Sequence, residues 1–131
     1  MKKIGIINSE LSKLISELGH TDTIVIADSG LPIPPGVKRI DLALKRGVPG
    51  YLETLETILV EMQVQQYTVA EEMKKANPEL LKFTQQALDG AEAQSVSHER
   101  FKSLTGQAKA VIRTGECTAY ANVILHAGVT F

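Results

Sequence analysis

Two groups able to move protons stand at either end of one short apolar run, His20-Thr21-Asp22-Thr23-Ile24-Val25-Ile26-Ala27-Asp28. An imidazole with an unperturbed pKa of about 6.5 can serve as acid or base near neutral pH. A carboxylate at the end of a buried strand, followed by Ser29-Gly30, sits where open α/β sheets present ligand-binding groups. Each residue also has a plainer explanation. His20 follows Gly19 in a turn, where most histidines do no chemistry. Asp28 can simply turn the chain through side-chain bonds to its own backbone, as Asp-Ser-Gly often does. If the run is extended, eight steps of ~3.3 Å hold the two groups roughly 25 Å apart. A small pocket is only ~10 Å across. Either the two residues serve different places, or one site draws on two copies of the chain.

Further candidates lie towards the C-terminus. If Cys117 to Leu125 is a strand, Tyr120, Asn122, Ile124 and His126 share one face and Ala119, Ala121, Val123 and Leu125 the other. A phenol and an amide two residues apart can hydrogen-bond neighbouring hydroxyls of a small polyol. They are equally an ordinary polar face of an antiparallel sheet. His98 and Lys102, four apart, share a face of a short helix. They could bind hydroxyls or a developing oxyanion, or form a solvated face beside Glu99 and Arg100. His126, close to the chain end, reads as structural. No Gly-x-Gly-x-x-Gly fingerprint, phosphate-binding loop or Gly-x-Ser-x-Gly elbow occurs, and the three histidines and one cysteine lack zinc spacing. A cofactor-free, metal-free activity remains, or simple binding.

The elements that must position these groups alternate between helical and strand patterns. Ser9 can cap a helix whose Leu11, Leu14, Ile15 and Leu18 recur on one face, with Gly19 as its stop. Thr23 to Ala27 is β-branched and continuously apolar, a strand buried on both faces. Leu31 to Gly36, with three prolines, must be a rigid loop. Arg39 to Leu44 predicts a strand, Tyr51 to Glu61 a helix, and Val64 to Val69 a strand. Asn77-Pro78 starts a helix that runs to about Leu88, and Ser97 caps another from His98 to about Leu104. Ala108 to Arg113 and Cys117 to Leu125 predict a strand pair joined by the hairpin-length Thr114-Gly115-Glu116. The expected fold is α/β, a layered single domain over residues 1–131 with a mixed β-sheet flanked by helices.

Bulk properties exclude several classes. A length of 131 residues suits one core, and 44% hydrophobic with 22% charged residues is an ordinary globular balance. A net charge of -1 gives no attraction to nucleic acid or anionic membrane. Three Phe, three Tyr and no Trp leave few stacking platforms for single strands. Cys117 is the lone cysteine, which fits a reducing cytoplasm. Asn8-Ser9-Glu10 cuts the N-terminal apolar stretch too short for a signal peptide, and no window approaches the ~20 apolar residues of a membrane span.

Gly19-His20-Thr21-Asp22, Ala27-Asp28-Ser29-Gly30-Leu31-Pro32, Gly47-Val48-Pro49 and the run from Arg113 to Asn122 together resemble the D-ribose pyranase and fucose mutarotase family. The similarity spans essentially the whole chain in the same order. The ribose branch is the closer match, His98 being one reason. The resemblance implies a cofactor-free interconversion of ring forms of a free sugar. His20 would be the catalytic acid/base, and Asp28, His98, Tyr120 and Asn122 would hold the sugar, with Lys102 carried over beside them. It further implies a cytoplasmic protein built as a ring-based homo-oligomer, a decamer, with sites at subunit interfaces. In such an assembly His20 of one subunit faces Asp28, Tyr120 and Asn122 of its neighbour. Within the same class, the substrate could be fucose or another sugar; outside it, the residues also suit a non-catalytic sugar-binding module or a phosphosugar-binding regulatory domain. The missing phosphate loop weighs against the last of these.

Overall fold

A computed structural model describes residues 1–131. Its frame is one six-stranded sheet in the order β2-β5-β1-β6-β3-β4. The strands are β1 (Thr23–Ala27), β2 (Lys38–Asp41), β3 (Val64–Ala70), β4 (Glu92–Val96), β5 (Ala110–Arg113) and β6 (Val123–Ala127). Five run parallel, and β6 alone opposes its neighbours β1 and β3. The apolar run that opened the sequence is central: Ile24, Val25 and Ile26 are wholly buried, because β1 is covered on both faces.

Alternation along β1 divides the core. Ile24 and Ile26 join Ile112 and Leu125 beneath the helices α1 (Ser9–Glu17), α2 (Tyr51–Leu59) and α3 (Glu72–Ala76), which contribute Leu11, Leu14, Leu55, Ile58 and Met73. The helix α4 (Pro78–Ala87) packs against the same cluster through Leu80 and Leu81. Val25, Ala27, Val111 and Ile124 face the other way, against Leu31 of the Pro-rich loop and Phe101 of α5 (His98–Leu104). The fold is therefore the expected α/β layering around a mixed sheet.

Three local expectations are corrected. Asn8, not Ser9, caps α1, its Oδ1 accepting the Leu11 N–H at 3.0 Å. Ala110–Arg113 and Val123–Ala127 form no hairpin, since β1 lies between them. The reason is at the exit of β5, where the Thr114 N–H and Oγ1 both donate to the Ala27 carbonyl, at 2.9 and 2.7 Å. The chain is thus tied to β1 before it can turn back. The strand expected from Cys117 starts only at Val123, because Tyr120 has φ +62 and breaks the extended path. Two elements carry no sequence signal. β4 is an exposed edge strand of mostly polar residues held by parallel pairing to β3, and α3 has one buried residue, Met73.

Candidate active site

Parallel strands deliver their loops to one edge of the sheet, and there the sequence candidates gather. β1 ends into Asp28, β4 ends into Ser97-His98, and the antiparallel β6 begins just after Asn122. Asn122 is completely buried and grips Asp28 twice. Its Oδ1 accepts the Asp28 N–H at 2.8 Å, and its Nδ2 donates to Asp28 Oδ2 at 3.0 Å. The other carboxylate oxygen, Oδ1, accepts the Gly30 N–H at 2.9 Å. Asp28 therefore makes the plain turn and also lies half-buried beside a cavity of about 270 Å³ that Ser29, Glu116, Cys117 and Thr118 help to line. The two explanations offered for its sequence position are compatible.

Tyr120 enters from the turn before β6. Its left-handed backbone is uncommon for a bulky residue, and it brings the phenol ring edge-on to the His98 imidazole, 5.0 Å between centroids at 83°. His98 is the first residue of α5, whose N-cap Ser97 accepts the Arg100 N–H at 3.1 Å. The imidazole stacks on Phe101, 6.4 Å away at 13°. Its Nδ1 is buried and has no hydrogen-bond partner in the protein. Such orphaned groups are rare in native folds and fit a ligand hydroxyl. Lys102 lies one turn further along α5, but its ammonium pairs with Glu99 at 2.6 Å. That hydrogen bond and the neighbouring charge hold the Glu99 carboxyl below its ordinary range.

One chain thus brings Asp28, Asn122, Tyr120 and His98 together, with Lys102 alongside on the His98 helix. His20 is not among them. It sits in the Gly19–Asp22 turn at the opposite end of β1, exposed, with Nε2 2.8 Å from Gln65 Oε1. It borders a separate cavity of about 380 Å³ formed with Leu18, Met62, Val129 and Phe131. His126 stays within the sheet, 3.2 Å from Thr68 Oγ1, and burial lowers its pKa.

Sequence reasoning missed the supports of this edge. Glu72 accepts the His98 backbone N–H at 2.8 Å, and Asn77 Nδ2 donates to the Ala119 carbonyl. Glu72 falls in a stretch where the sequence predicts no element, and Asn77 before Pro78 looks like a cap. No signal in either position points across the fold.

A mixed α/β sheet with a carboxylate, a carboxamide, a phenol and an imidazole at one edge defines a class, a small protein suited to gripping an uncharged, hydroxyl-rich molecule. The chain belongs to the RbsD / FucU transport protein family, whose model matches residues 1–130. It is 55% identical over 131 residues, all of both chains, to a D-ribose pyranase from Bacillus licheniformis. Among solved structures it matches Bacillus subtilis RbsD complexed with D-ribose at a TM-score of 0.97 and 53% identity, covering all of both chains. The fucose mutarotase of Streptococcus pneumoniae, solved with L-fucose, matches at 0.81 and 26% identity over 95% of each chain. No helix is long and apolar enough to cross a membrane.

Proposed function

We propose that this chain, working over residues 1–131 as one sugar-ring isomerase domain, interconverts the pyranose and furanose forms of free D-ribose without a cofactor. The observation that carries this reading is the likeness, over the whole chain, to a protein solved with D-ribose. The identity of 53% there, against 26% to the fucose mutarotase, favours ribose over fucose as substrate.

The chemistry needs little beyond placed hydrogen-bonding groups and one proton carrier. Opening the pyranose ring moves a proton from the anomeric hydroxyl to the ring oxygen and leaves an open-chain aldehyde. After rotation about the chain, the C4 hydroxyl adds to the carbonyl and its proton passes to the carbonyl oxygen, giving the furanose. No net proton is gained or lost. We assign the transfers to His20, since one positioned histidine supplies about 10²–10⁴-fold by general acid–base catalysis. Asp28 and Asn122, locked together, and the paired rings of His98 and Tyr120 hold the sugar hydroxyls and keep the aldehyde from leaving before it recloses. Lys102 adds a donor to that set if Glu99 releases it.

Because His20 and Asp28 sit at opposite ends of β1, the complete site takes His20 from a neighbouring copy. The assembly we propose is a ring-based homodecamer in the cytoplasm, with the sites at its subunit interfaces. Saturation-transfer NMR on dissolved ribose tests the activity directly. Added protein should speed exchange between pyranose and furanose signals, and His20→Ala should abolish that increase. Ribose binding seen by calorimetry with an unchanged exchange rate would replace the isomerase with a sugar-binding module.

A further inference from the structure

His98 and Tyr120 face each other at 5.0 Å, yet they come from distant parts of the chain. No hydrogen bond directly joins α5 to the Thr118–Asn122 turn that carries Tyr120. The link runs instead through α3, the five-residue helix without a sequence signal. At its first residue, the Glu72 carboxylate accepts the His98 N–H at 2.8 Å. Just past its last residue, Asn77 Nδ2 donates to the Ala119 carbonyl, the residue before Tyr120. Between the two tethers, fully buried Met73 fixes α3 to the core. We infer that α3 is a bracket, with Glu72 and Asn77 as positioning residues that set the imidazole and phenol at the spacing needed to hold a sugar.

The bracket answers a structural need. Tyr120 adopts φ +62, a conformation that non-glycine residues avoid unless their surroundings enforce it. Within the turn, the Ala121 N–H reaches Thr118 O at a long 3.3 Å, and the Asn122 N–H reaches Tyr120 O at 2.8 Å. Neither bond fixes the turn relative to α5. The Asn77 amide does so from one side, and Glu72 holds the His98 backbone from the other. A carboxylate accepting a backbone N–H makes a charge-assisted bond, stronger than a neutral one. Neither Glu72 nor Asn77 needs to touch substrate to matter.

The inference rests on the ribose-handling reading for its ligand, but its geometric arm does not. Four full-length proteins are compared: wild type, Glu72→Ala, Glu72→Gln and Asn77→Asp. Glutamine keeps an acceptor for the His98 N–H, whereas aspartate removes the donor that Asn77 offers Ala119 and changes little in size. Two readings are taken: the D-ribose dissociation constant by calorimetry, and the ring-current shifts between His98 and Tyr120 by NMR. Glu72→Ala and Asn77→Asp should each weaken ribose binding roughly two- to tenfold, the range expected when one net hydrogen bond is lost. Both should move the His98 and Tyr120 ring signals while leaving those of distant Tyr51 in place. Glu72→Gln should recover most of the affinity and the wild-type shifts. If Glu72→Ala does not fold, Asn77→Asp and the comparison of Glu72→Gln with wild type still decide the matter. Wild-type affinity and ring shifts in Asn77→Asp would overturn the bracket. A wild-type protein that neither binds ribose nor speeds its exchange would instead overturn the functional reading and leave the ring shifts to judge α3.

Discussion

At the scale of single residues, the contact between buried Asn122 and half-buried Asp28 is where a stability effect and the proposed binding role should both be felt. Removing the amide in Asn122→Ala leaves the Asp28 N–H and one carboxylate oxygen without partners, and each unsatisfied group costs about 1–3 kcal/mol. A drop of that order in urea unfolding free energy, together with loss of ribose binding, is the expected outcome. His126 supplies a pH dependence of stability. Burial lowers its pKa in the folded protein, so over the window between that lowered value and the ordinary value near 6.5 the unfolded chain binds more protons. Stability therefore rises with pH through this window, is fully present above about 6.5, and declines as the pH falls towards the folded value. His126→Gln, which cannot titrate, should flatten that slope in urea midpoints measured from pH 7.5 to 5. An unchanged slope would assign the acid sensitivity to other groups.

At the scale of elements, what the sequence could reveal depended on whether a segment carries its own pattern. β1 was legible because a run of buried β-branched residues has few other uses, and α5 because Ser97 marks its start. The hairpin expected around Thr114-Gly115-Glu116 was wrong because a short connection shows its length and not its destination. The Thr114 hydroxyl that ties it to Ala27 is seen only in three dimensions. The same holds for β4, whose order comes from pairing with β3, and for α3, too short to show a period. At the site, Asp28, Asn122, Tyr120 and His98 were legible as chemistry-bearing residues, but the alternation that puts Tyr120 on a strand face does not show the left-handed turn it occupies. Gly115 shows how tightly this connection is packed. A Cβ there would lie 2.5 Å from the carbonyl oxygens of Lys45 and Val48 and 2.6 Å from the Val48 nitrogen. Because all three are backbone atoms, Gly115→Ala must displace the Lys45–Val48 loop, an overpacking cost of about 1–3 kcal/mol. Thermal unfolding should register it as a lowered midpoint, and a midpoint equal to wild type would show that the loop yields freely.

At the scale of the whole molecule, the separation of His20 from Asp28 becomes a statement about assembly. His20 is exposed at one end of β1, and exposed apolar side chains lie near it. Val129 and Phe131, which line the cavity beside His20, are 44% and 103% exposed. Apolar groups clustered at a candidate catalytic residue fit a surface that a second copy covers. Complementation tests whether the site spans two subunits. His20→Ala and Asp28→Ala proteins should each be inactive in ribose exchange. Mixed in equal amounts and allowed to exchange subunits, they should regain activity, because some interfaces then join an intact His20 from one chain to an intact Asp28 from another. With random assortment that pairing forms at about a quarter of the sites in a symmetric homo-oligomer. If both residues had to come from the same chain, no mixture could restore any site, since every chain would lack one of them. Recovery near a quarter of the wild-type rate would therefore locate the catalytic site between subunits. A mixture that exchanges subunits, as seen by mass measurement, and stays inactive would exclude it.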